Sequence, residues 1–347
     1  MSDSYARAGV DTSAADRAIG ALVGVLRTID IGRASRAVPL PGHYAAVVEI
    51  APNLGIAIGT DGVGSKLIVA ERTGRYDTIG IDCIAMNVND VVCVGAEPIA
   101  VVDYLAVEQT DPDVFAAIAR GLKAGAEQAG VEIPGGEVAV LPELIRGHPS
   151  PTGFDLTAAC FGTVALDRIV TGVACAPGDA LIGLPSSGLH SNGYTLARRV
   201  LEPLGLDARP DALGGASVAD VLLEPTVIYV RAVLELLRSG LPVHGLAHIT
   251  GGGLSNLLRL NGGVGFAVSS PLPVPPVYDL IREHGGVPEA ELWDVFNMGC
   301  GFVAVVPEAA ADDAVALLAG RHPGTARIGS VTTEAGAVGV PSLGVSL

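Results

Sequence analysis

Carboxylate side chains beside glycine or at the ends of apolar runs recur through the first half of this chain. They are Asp61, Asp82, Asp90 and Glu137. Oxygen ligands beside flexible backbone suit hard cations such as Mg²⁺, which proteins often bind together with the phosphates of a substrate. One such position would be weak support, but four of them predict an enzyme that uses magnesium and a nucleotide.

The segment 60–66, Thr-Asp-Gly-Val-Gly-Ser-Lys, carries the first of these carboxylates. Its glycine spacing is close to that of a P-loop, but serine stands where a P-loop requires lysine. We interpret it as a loop in which Asp61 captures the metal ion, Gly62 and Gly64 let the backbone approach phosphates, and Lys66 supplies a positive charge. The alternative is a glycine turn followed by a surface lysine.

A helix is predicted over residues 83–94, with Asp82 as its N-cap. On a helix of 3.6 residues per turn, Asp82, Asn89 and Asp90 share one side, while the apolar side chains turn toward another. Asn87, Asn89 and Asp90 need hydrogen-bond or metal partners if they are buried. A structural polar network remains the alternative to a ligand site.

Two glycine-rich loops in the second half follow predicted strands and precede predicted helices. They are residues 186–193, Ser-Ser-Gly-Leu-His-Ser-Asn-Gly, and residues 248–253, His-Ile-Thr-Gly-Gly-Gly. Free N–H groups at a helix start, aided by hydroxyls, form a site for an anion such as a substrate phosphate. His190 and His248 are the histidines inside these loops, and imidazole commonly transfers protons near neutral pH. A structural role is the alternative for each.

Composition limits the partners of this protein. The formal net charge is −16, which disfavours nucleic acid and anionic membranes, so phosphates must be met by metal ions, helix N-termini and a few placed cations. No apolar run of membrane length and no signal-peptide pattern is evident, which predicts a soluble cytoplasmic protein. The five cysteines are scattered, which predicts reduced thiols in the core.

Apolar runs alternate with amphipathic patterns, which predicts a mixed α/β architecture. Strands are predicted over 54–59, 99–107, 131–134, 154–166, 180–184, 245–249, 264–268 and 302–306. Further helices are predicted over 113–129, 192–201, 227–237, 254–260, 278–283 and 310–319. Because 347 residues exceed the usual single-domain size, two domains are expected. Breaks in the pattern between residues 167 and 178 predict a boundary that divides 1–168 from 169–347.

Taken in order, these segments resemble the phosphoribosylformylglycinamidine cyclo-ligase (AIR synthetase) family, over nearly the whole chain. Besides the loops above, the matching segments are Tyr5-Ala6-Arg7-Ala8-Gly9-Val10-Asp11, Ile79-Gly80-Ile81-Asp82, Asn87-Val88-Asn89-Asp90, Gly95-Ala96-Glu97-Pro98, Val102-Asp103-Tyr104, Gly135-Gly136-Glu137, Phe154-Asp155-Leu156, Gly178-Asp179 and Phe296-Asn297-Met298-Gly299. The opening segment and the loop 186–193 are specific to the family. The acidic signals are shared with a wider superfamily of ATP-dependent enzymes.

The resemblance implies two mixed α/β domains, with N-terminal domains that pair in a homodimer through a β-barrel. It implies ATP with Mg²⁺, and closure of the substrate FGAM to 5-aminoimidazole ribonucleotide (AIR), with ADP and phosphate, in purine biosynthesis. Mg²⁺ would be held by Asp61, Asp82, Asp90 and Glu137, while Lys66 balances charge and His190 shuttles protons. The implied nucleotide contacts are Thr60, Gly62, Gly64, Asn87 and Asn89. The implied FGAM contacts are Ser186, Ser187, Gly188, Ser191, Asn192, His248, Thr250, Gly251 and Gly252.

The chain departs from the family pattern at two places. Residues 41–45, Pro-Gly-His-Tyr-Ala, replace a loop rich in glycine and phenylalanine, which leaves a nucleotide lid there open to question. After Glu137 the family's second carboxylate is missing, and Glu143 is a candidate substitute. The rival functions are an FGAM synthetase-like or other ATP-dependent enzyme of the superfamily, and a non-catalytic nucleotide-binding scaffold.

Overall fold

Each half of the described chain builds one β-sheet. A computed structural model describes residues 12–347, so the matching segment 5–11 lies outside the described residues. Within that range the architecture is mixed α/β with two sheets, as the alternation of patterns predicted. None of the helices in residues 12–347 is long and apolar enough to span a bilayer. All five cysteines are buried free thiols, which confirms that prediction.

The helices, except for the exposed first one, lie along the chain between the strands of the two sheets. They are α1 (Thr12–Leu26), α2 (Leu67–Thr73), α3 (Ile79–Cys93), α4 (Pro112–Ala129), α5 (Tyr194–Leu201), α6 (Val218–Leu222), α7 (Val230–Arg238), α8 (Val277–Gly285), α9 (Glu289–Val295) and α10 (Ala311–Ala319). Helix α4 begins and ends as its sequence predicts. Asp111 caps it by accepting hydrogen bonds from the N–H groups of Asp113 and Val114, and Gly130 ends it in the left-handed conformation.

The first sheet has the strand order β1-β2-β3-β6-β4-β5. Its strands are β1 (Ala37–Val38), β2 (Ala46–Ala51), β3 (Leu54–Gly62), β4 (Glu97–Val107), β5 (Glu132–Val140) and β6 (Phe154–Ala165). Only the β4–β5 pair is parallel among these neighbours, and α4 forms its crossover. Along β6 buried residues alternate with more exposed ones, because one face packs against α3 and the other does not. We call these the inner face and the outer face.

The second sheet has the strand order β13-β12-β9-β11-β7-β10-β8. Its strands are β7 (Ala180–Pro185), β8 (Gly245–His248), β9 (Gly265–Ala267), β10 (Cys300–Val306), β11 (Ala326–Thr332), β12 (Val338–Val340) and β13 (Val345–Ser346). Every residue of β8 and β10 is buried, which matches their continuous apolar sequences. Both strands therefore lie in the interior. The predicted site residues 248–253 are the last residue of β8 and the loop that follows it.

Three local predictions are wrong, each because tertiary packing extends or replaces an element. Helix α3 begins at Ile79, so Asp82 lies inside its first turn and is not the N-cap. Gly135-Gly136-Glu137 lies within β5 and not in a loop after a short strand, because β5 continues its pairing with β4. Asp61 lies within β3, which continues to Gly62, where a loop after a shorter strand was predicted. The helix predicted over 254–260 is a 3₁₀-helix over Gly253–Arg259.

Candidate active site

Asp61 lies near the end of β3, and the side chain of Asn87 holds its backbone. The Asp61 N–H donates to Asn87 Oδ1 at 3.0 Å, and Asn87 Nδ2 donates to the Asp61 carbonyl at 3.1 Å. Asp61 Oδ1 also accepts a hydrogen bond from the Gly62 N–H at 2.7 Å. Helix α3 therefore positions the first predicted carboxylate, and Asn87, predicted to contact nucleotide, uses its amide for this purpose.

Asp90 on the same helix pairs with His248 at the end of β8. His248 Nδ1 lies 2.8 Å from Asp90 Oδ1, and the imidazole is wholly buried while the carboxylate is one-fifth exposed. His248 Nε2 has no hydrogen-bond partner among the described residues. An ionised Asp90 favours a proton on Nδ1, which leaves a lone pair on Nε2. The pair joins the two halves of the chain at the predicted site.

Asp61 and Asp90 lie close enough to influence each other. Burial raises the pKa of Asp61 above its ordinary value of 3.8, the Gly62 hydrogen bond opposes this, and the charge of Asp90 adds to the rise. A divalent cation between the two carboxylates would offset their repulsion. Across residues 12–347 no group of three or more His, Cys, Asp or Glu side chains is placed to hold a metal ion. Mg²⁺ is often bound by one or two carboxylates, with water and substrate phosphates completing the shell, so a metal-binding role for Asp61 and Asp90 stays a prediction.

A cation that sequence reasoning missed lies near this pair. Arg259, at the end of the 3₁₀-helix, is exposed, and its charge lowers the pKa of Asp61. Its guanidinium carbon lies 5.0 Å from the centre of the Tyr44 ring, and the Tyr44 hydroxyl donates to the Asn256 carbonyl at 3.0 Å. The altered segment 41–45 is thus docked on the second half of the chain. No sequence signal marked Arg259, because it comes near Asp61 only when the chain folds.

Asp82 and Lys66 form a buried ion pair, away from solvent. Their charged groups lie 2.8 Å apart, and neither side chain is exposed. Lys66 Nζ also donates to the carbonyls of Glu224 at 2.6 Å and His190 at 3.2 Å. Asp82 Oδ1 accepts hydrogen bonds from the N–H and the hydroxyl of Thr226. The surface lysine considered for this segment is therefore excluded.

Residues 222–229 form what we call the crossing segment. Many of the polar side chains that the sequence predicted to bind ligands make hydrogen bonds to this segment instead. Asn89 Nδ2 donates to the Val227 carbonyl at 2.8 Å, and Asn89 Oδ1 accepts from the Tyr229 N–H at 2.9 Å. Ser187 Oγ donates to the Pro225 carbonyl at 2.6 Å. With Lys66 and Asp82, these contacts form the structural polar network that was the alternative for α3.

The loop 186–193 is held largely by its own protein neighbours. Ser186 Oγ donates to Asn297 Oδ1 at 2.8 Å, and Asn297 Nδ2 donates to the Gly188 carbonyl at 2.8 Å. A hydrogen bond of 3.3 Å joins the hydroxyls of Ser191 and Thr226. Asn192 makes only a weak contact of 3.9 Å with the Met86 sulfur. Among the predicted FGAM contacts in this loop, Asn192 therefore keeps the most hydrogen-bonding capacity.

His190 is buried and adopts a φ of +61°, which is uncommon outside glycine. Its Nε2 accepts a hydrogen bond from the Ser187 N–H at 3.3 Å, and its Nδ1 has no partner among the described residues. Burial, followed by the charges of His248 and Lys66, lowers the pKa of His190 well below 6.5. The lowered pKa favours the neutral ring near pH 7.

The loop 248–253 is organised by Asn256, a second amide that the sequence did not single out. Asn256 Nδ2 donates to the carbonyls of Gly251 and Gly253, and its Oδ1 accepts from the Thr250 hydroxyl at 3.0 Å. Gly252 has a φ of +94°, which requires glycine. Asn256 therefore fixes the conformation of the loop from the protein interior, while Gly251 is exposed.

Glu137 is not brought together with the other carboxylates within one chain. It pairs in register with Tyr104 on β4, which pairs with Thr157 on β6, and that row lies on the outer face. Asp61 belongs to the adjacent row on the inner face and is three strands away, about 14 Å by strand spacing. Thr60 lies on the outer face too and donates to the Ala158 carbonyl at 2.9 Å. A metal-binding role for Glu137 stays a prediction.

Comparison with known proteins matches both halves of the chain to domains of one family. The model of the AIR synthase related protein N-terminal domain matches residues 42–164, and that of the C-terminal domain matches residues 176–340. The chain belongs to the AIR synthase related family. Within this family it is 49% identical to the phosphoribosylformylglycinamidine cyclo-ligases of Thermococcus gammatolerans and Thermococcus kodakarensis, over 99% of this chain and 99% of each relative.

The family fold extends to more distant proteins. A crystal structure of the hydrogenase maturation protein HypE in complex with ATP superposes with a TM-score of 0.61 at 22% identity, and the match covers 89% of both chains. At this identity the likeness concerns the fold alone. The two AIR synthase related domain models meet between β6 and β7, so each sheet with its helices corresponds to one of them.

Proposed function

We propose that this chain is a phosphoribosylformylglycinamidine cyclo-ligase, which uses ATP to close FGAM to AIR with release of ADP and phosphate. The observation that carries the proposal is the 49% identity, over 99% of both chains, to relatives of that name. The Asp61–Asp90 pair and the Asp90–His248 contact give this function a site where the two halves of the chain meet.

The reaction has two steps. ATP transfers its γ-phosphoryl group to the formamide oxygen of FGAM, which releases ADP. The amidine nitrogen then attacks the activated carbon, the carbon–oxygen bond breaks with departure of phosphate, and the nitrogen loses a proton. Mg²⁺, when bound, neutralises triphosphate charge. The protein's own part is to orient the two substrates and to stabilise charge as it develops.

Named residues supply these functions in the proposal. Asp61 and Asp90 hold Mg²⁺, and the backbone at Gly62 and Gly64 approaches the phosphates. Arg259, an exposed cation whose charge lowers the pKa of Asp61, meets the triphosphate in this proposal. The loops 186–193 and 248–253 bind FGAM, with Asn192 and Gly251 as their more accessible members.

The decisive assay mixes the protein with ATP, Mg²⁺ and FGAM in the absence of glutamine and ammonia. We expect release of ADP and a product lighter than FGAM by one water. An FGAM synthetase-like enzyme would require FGAR and a nitrogen donor, and a non-catalytic scaffold would bind nucleotide without turnover. Asp90→Asn should lower kcat by about 100-fold or more. The matched control is Asp113→Asn, an exposed carboxylate at the start of α4, which should leave kcat unchanged.

The proposal includes a homodimer formed through the outer face of the first sheet. Leu54, Ile56, Ile58, Tyr104 and Phe161 place apolar surface on that face, and Tyr104 is 42% exposed. A second copy on this face would close the two sheets into a barrel and remove the apolar surface from water. Glu137 shares this face, so it would approach a nucleotide only across the subunit interface. We also place the protein in the cytoplasm, where five free thiols remain reduced.

A further inference from the structure

We propose that Lys66 and Asp82 are positioning residues, which hold the crossing segment and the loop 186–193 in register with the Asp61–Asp90 pair and touch neither ATP nor Mg²⁺. The kinetic part of this inference rests on the proposed function. It replaces the phosphate-binding role of Lys66 and the metal-binding role of Asp82 that the resemblance implied.

The Lys66 ammonium is enclosed by protein oxygens. It donates to the Glu224 carbonyl at 2.6 Å and to the His190 carbonyl at 3.2 Å. Asp82 Oδ2 lies 2.8 Å away as its ion-pair partner. The Lys66 side chain is wholly buried. A phosphate could reach it only if the crossing segment and the loop moved away.

Asp82 is enclosed in the same way. Its Oδ2 makes no hydrogen bond within residues 12–347 and lies 2.8 Å from the Lys66 ammonium, and its Oδ1 accepts hydrogen bonds from the Thr226 N–H at 2.8 Å and the Thr226 hydroxyl at 2.6 Å. The carboxylate is not exposed to solvent, in contrast to Asp90, which is one-fifth exposed. A metal ion at Asp82 would have to displace either the lysine or both donors of Thr226.

The pair connects three parts of the molecule that must keep a common register. Lys66 follows Asp61 by five residues and ends the short 3₁₀ turn that comes directly after β3. Its ammonium fixes the carbonyl of His190, whose φ of +61° sets the path of the loop 186–193. The neighbouring hydroxyls of Ser187 and Ser191 bind Pro225 and Thr226 of the crossing segment. A shift of Lys66 would therefore move the loop 186–193 relative to the Asp61–Asp90 pair.

A double-mutant cycle separates positioning from ligand binding. Lys66→Met and Asp82→Asn each leave one buried charge unpaired, so each should lower kcat/KM for FGAM by roughly tenfold or more. The double variant removes both charges and should be less impaired than the worse single variant. If the two residues bound phosphate and metal separately, their losses would multiply in the double variant, and the inference would be wrong.

Nucleotide affinity supplies a readout that does not depend on turnover. We expect calorimetry with a non-hydrolysable ATP analogue and Mg²⁺ to give Kd values for Lys66→Met and Asp82→Asn within about threefold of the parent protein. Arg259→Met, at the exposed cation, is the contrast and should raise Kd by roughly tenfold. A tenfold loss of affinity in Lys66→Met would overturn the inference. Lys123→Met, an exposed lysine on α4, is the matched control for loss of a lysine.

Thr226→Val provides a milder test, should the charge variants fail to fold. It removes one donor to Asp82 and keeps the ion pair and the backbone N–H. We expect KM for FGAM to rise several-fold while the Mg²⁺ concentration for half-maximal activity stays constant. A lower melting temperature with unchanged KM would mean a merely structural role and would refute positioning. If the unaltered protein shows no FGAM-dependent ADP release, the proposed function fails, and the analogue affinities still decide whether Lys66 and Asp82 touch nucleotide.

Discussion

At the scale of single residues, similar side chains on one helix have different tasks because their oxygens face different surroundings. Asp82 and Asp90 both belong to α3, but Asp82 is wholly buried against Lys66 and Thr226, whereas Asp90 keeps some exposure beside His248. Asn87 and Asn89 bind backbone groups of β3 and of the crossing segment. A polar residue in a buried helix therefore requires a partner, and the partner decides whether it is structural or ligand-binding.

Asp61→Asn should stabilise the protein without ligand while removing its affinity for Mg²⁺ and nucleotide. Folding raises the pKa of Asp61, so the protonated carboxyl contributes to the free energy of unfolding. This contribution is full below 3.8, the ordinary pKa, and is lost as the pH rises through the higher pKa of the folded protein. Asparagine is neutral at every pH and can still accept the Gly62 hydrogen bond. We expect a gain of about 0.5–2 kcal/mol in the free energy of unfolding at pH 7.

Urea unfolding at a series of pH values tests this prediction. The gain from Asp61→Asn should shrink as the pH falls through the raised pKa of the native Asp61 carboxyl, and it should be smallest below 3.8, the ordinary value. The exposed control Asp113→Asn should change the free energy of unfolding by less than about 0.5 kcal/mol. A loss of stability in Asp61→Asn at pH 7 would contradict the assigned origin of the pKa rise.

At the scale of elements, α3 is the helix on which the site depends. It packs against β3 and β6 on one side and β8 on another, and its remaining side meets α4. The contact with α4 is close because glycines face each other: a Cβ at Gly121 would lie 2.6 Å from the Asp77 carbonyl oxygen and 2.8 Å from the Gly80 nitrogen. This backbone contact sets where α3 lies, and with it the positions of Asn87 and Asp90.

Gly121→Ala should therefore destabilise the protein by about 1–3 kcal/mol, because both neighbours of the new methyl group are backbone atoms that cannot yield easily. Chemical denaturation measures the effect. The matched control is Gly20→Ala on the exposed helix α1, where a Cβ would meet no atom within 4 Å. That change should be neutral or stabilise by up to about 1 kcal/mol. Equal effects of the two substitutions would show that the α3–α4 approach is not tight.

At the scale of the whole molecule, the outer face of the first sheet carries apolar surface that the described part of a single chain leaves uncovered. Its strands carry exposed or half-buried aliphatic and aromatic side chains in the rows opposite α3. Contiguous apolar surface of this kind marks an interaction site in a monomer. The proposed dimer uses this face, whereas the Asp61–Asp90 pair lies toward the other side.

Tyr104→Asp should weaken the dimer, since it buries a carboxylate at the centre of the proposed interface. A central aromatic residue commonly contributes 2 kcal/mol or more, so the dimer Kd should rise roughly 30-fold or more. Sedimentation equilibrium or light scattering measures the change. Val173→Asp is the control, because Val173 is 76% exposed and lies in the segment that connects β6 to β7, not on a strand of the first sheet. A parent protein that is monomeric at all concentrations would refute the dimer.

The sequence by itself determined the class of architecture and the family, because hydrophobic period and glycine placement are local properties. It also located the helix that carries Asp90 and the loop that follows His248, whereas the loop predicted at Asp61 is part of β3. Only the tertiary structure decided which polar groups face each other. Lys66 and Asp82 look like ligands in the sequence and prove to be a buried pair, while Arg259 and Asn256 lack any local mark. Partners that lie more than a hundred residues apart meet through packing of α3 against both halves, and no pattern within a short window encodes that meeting.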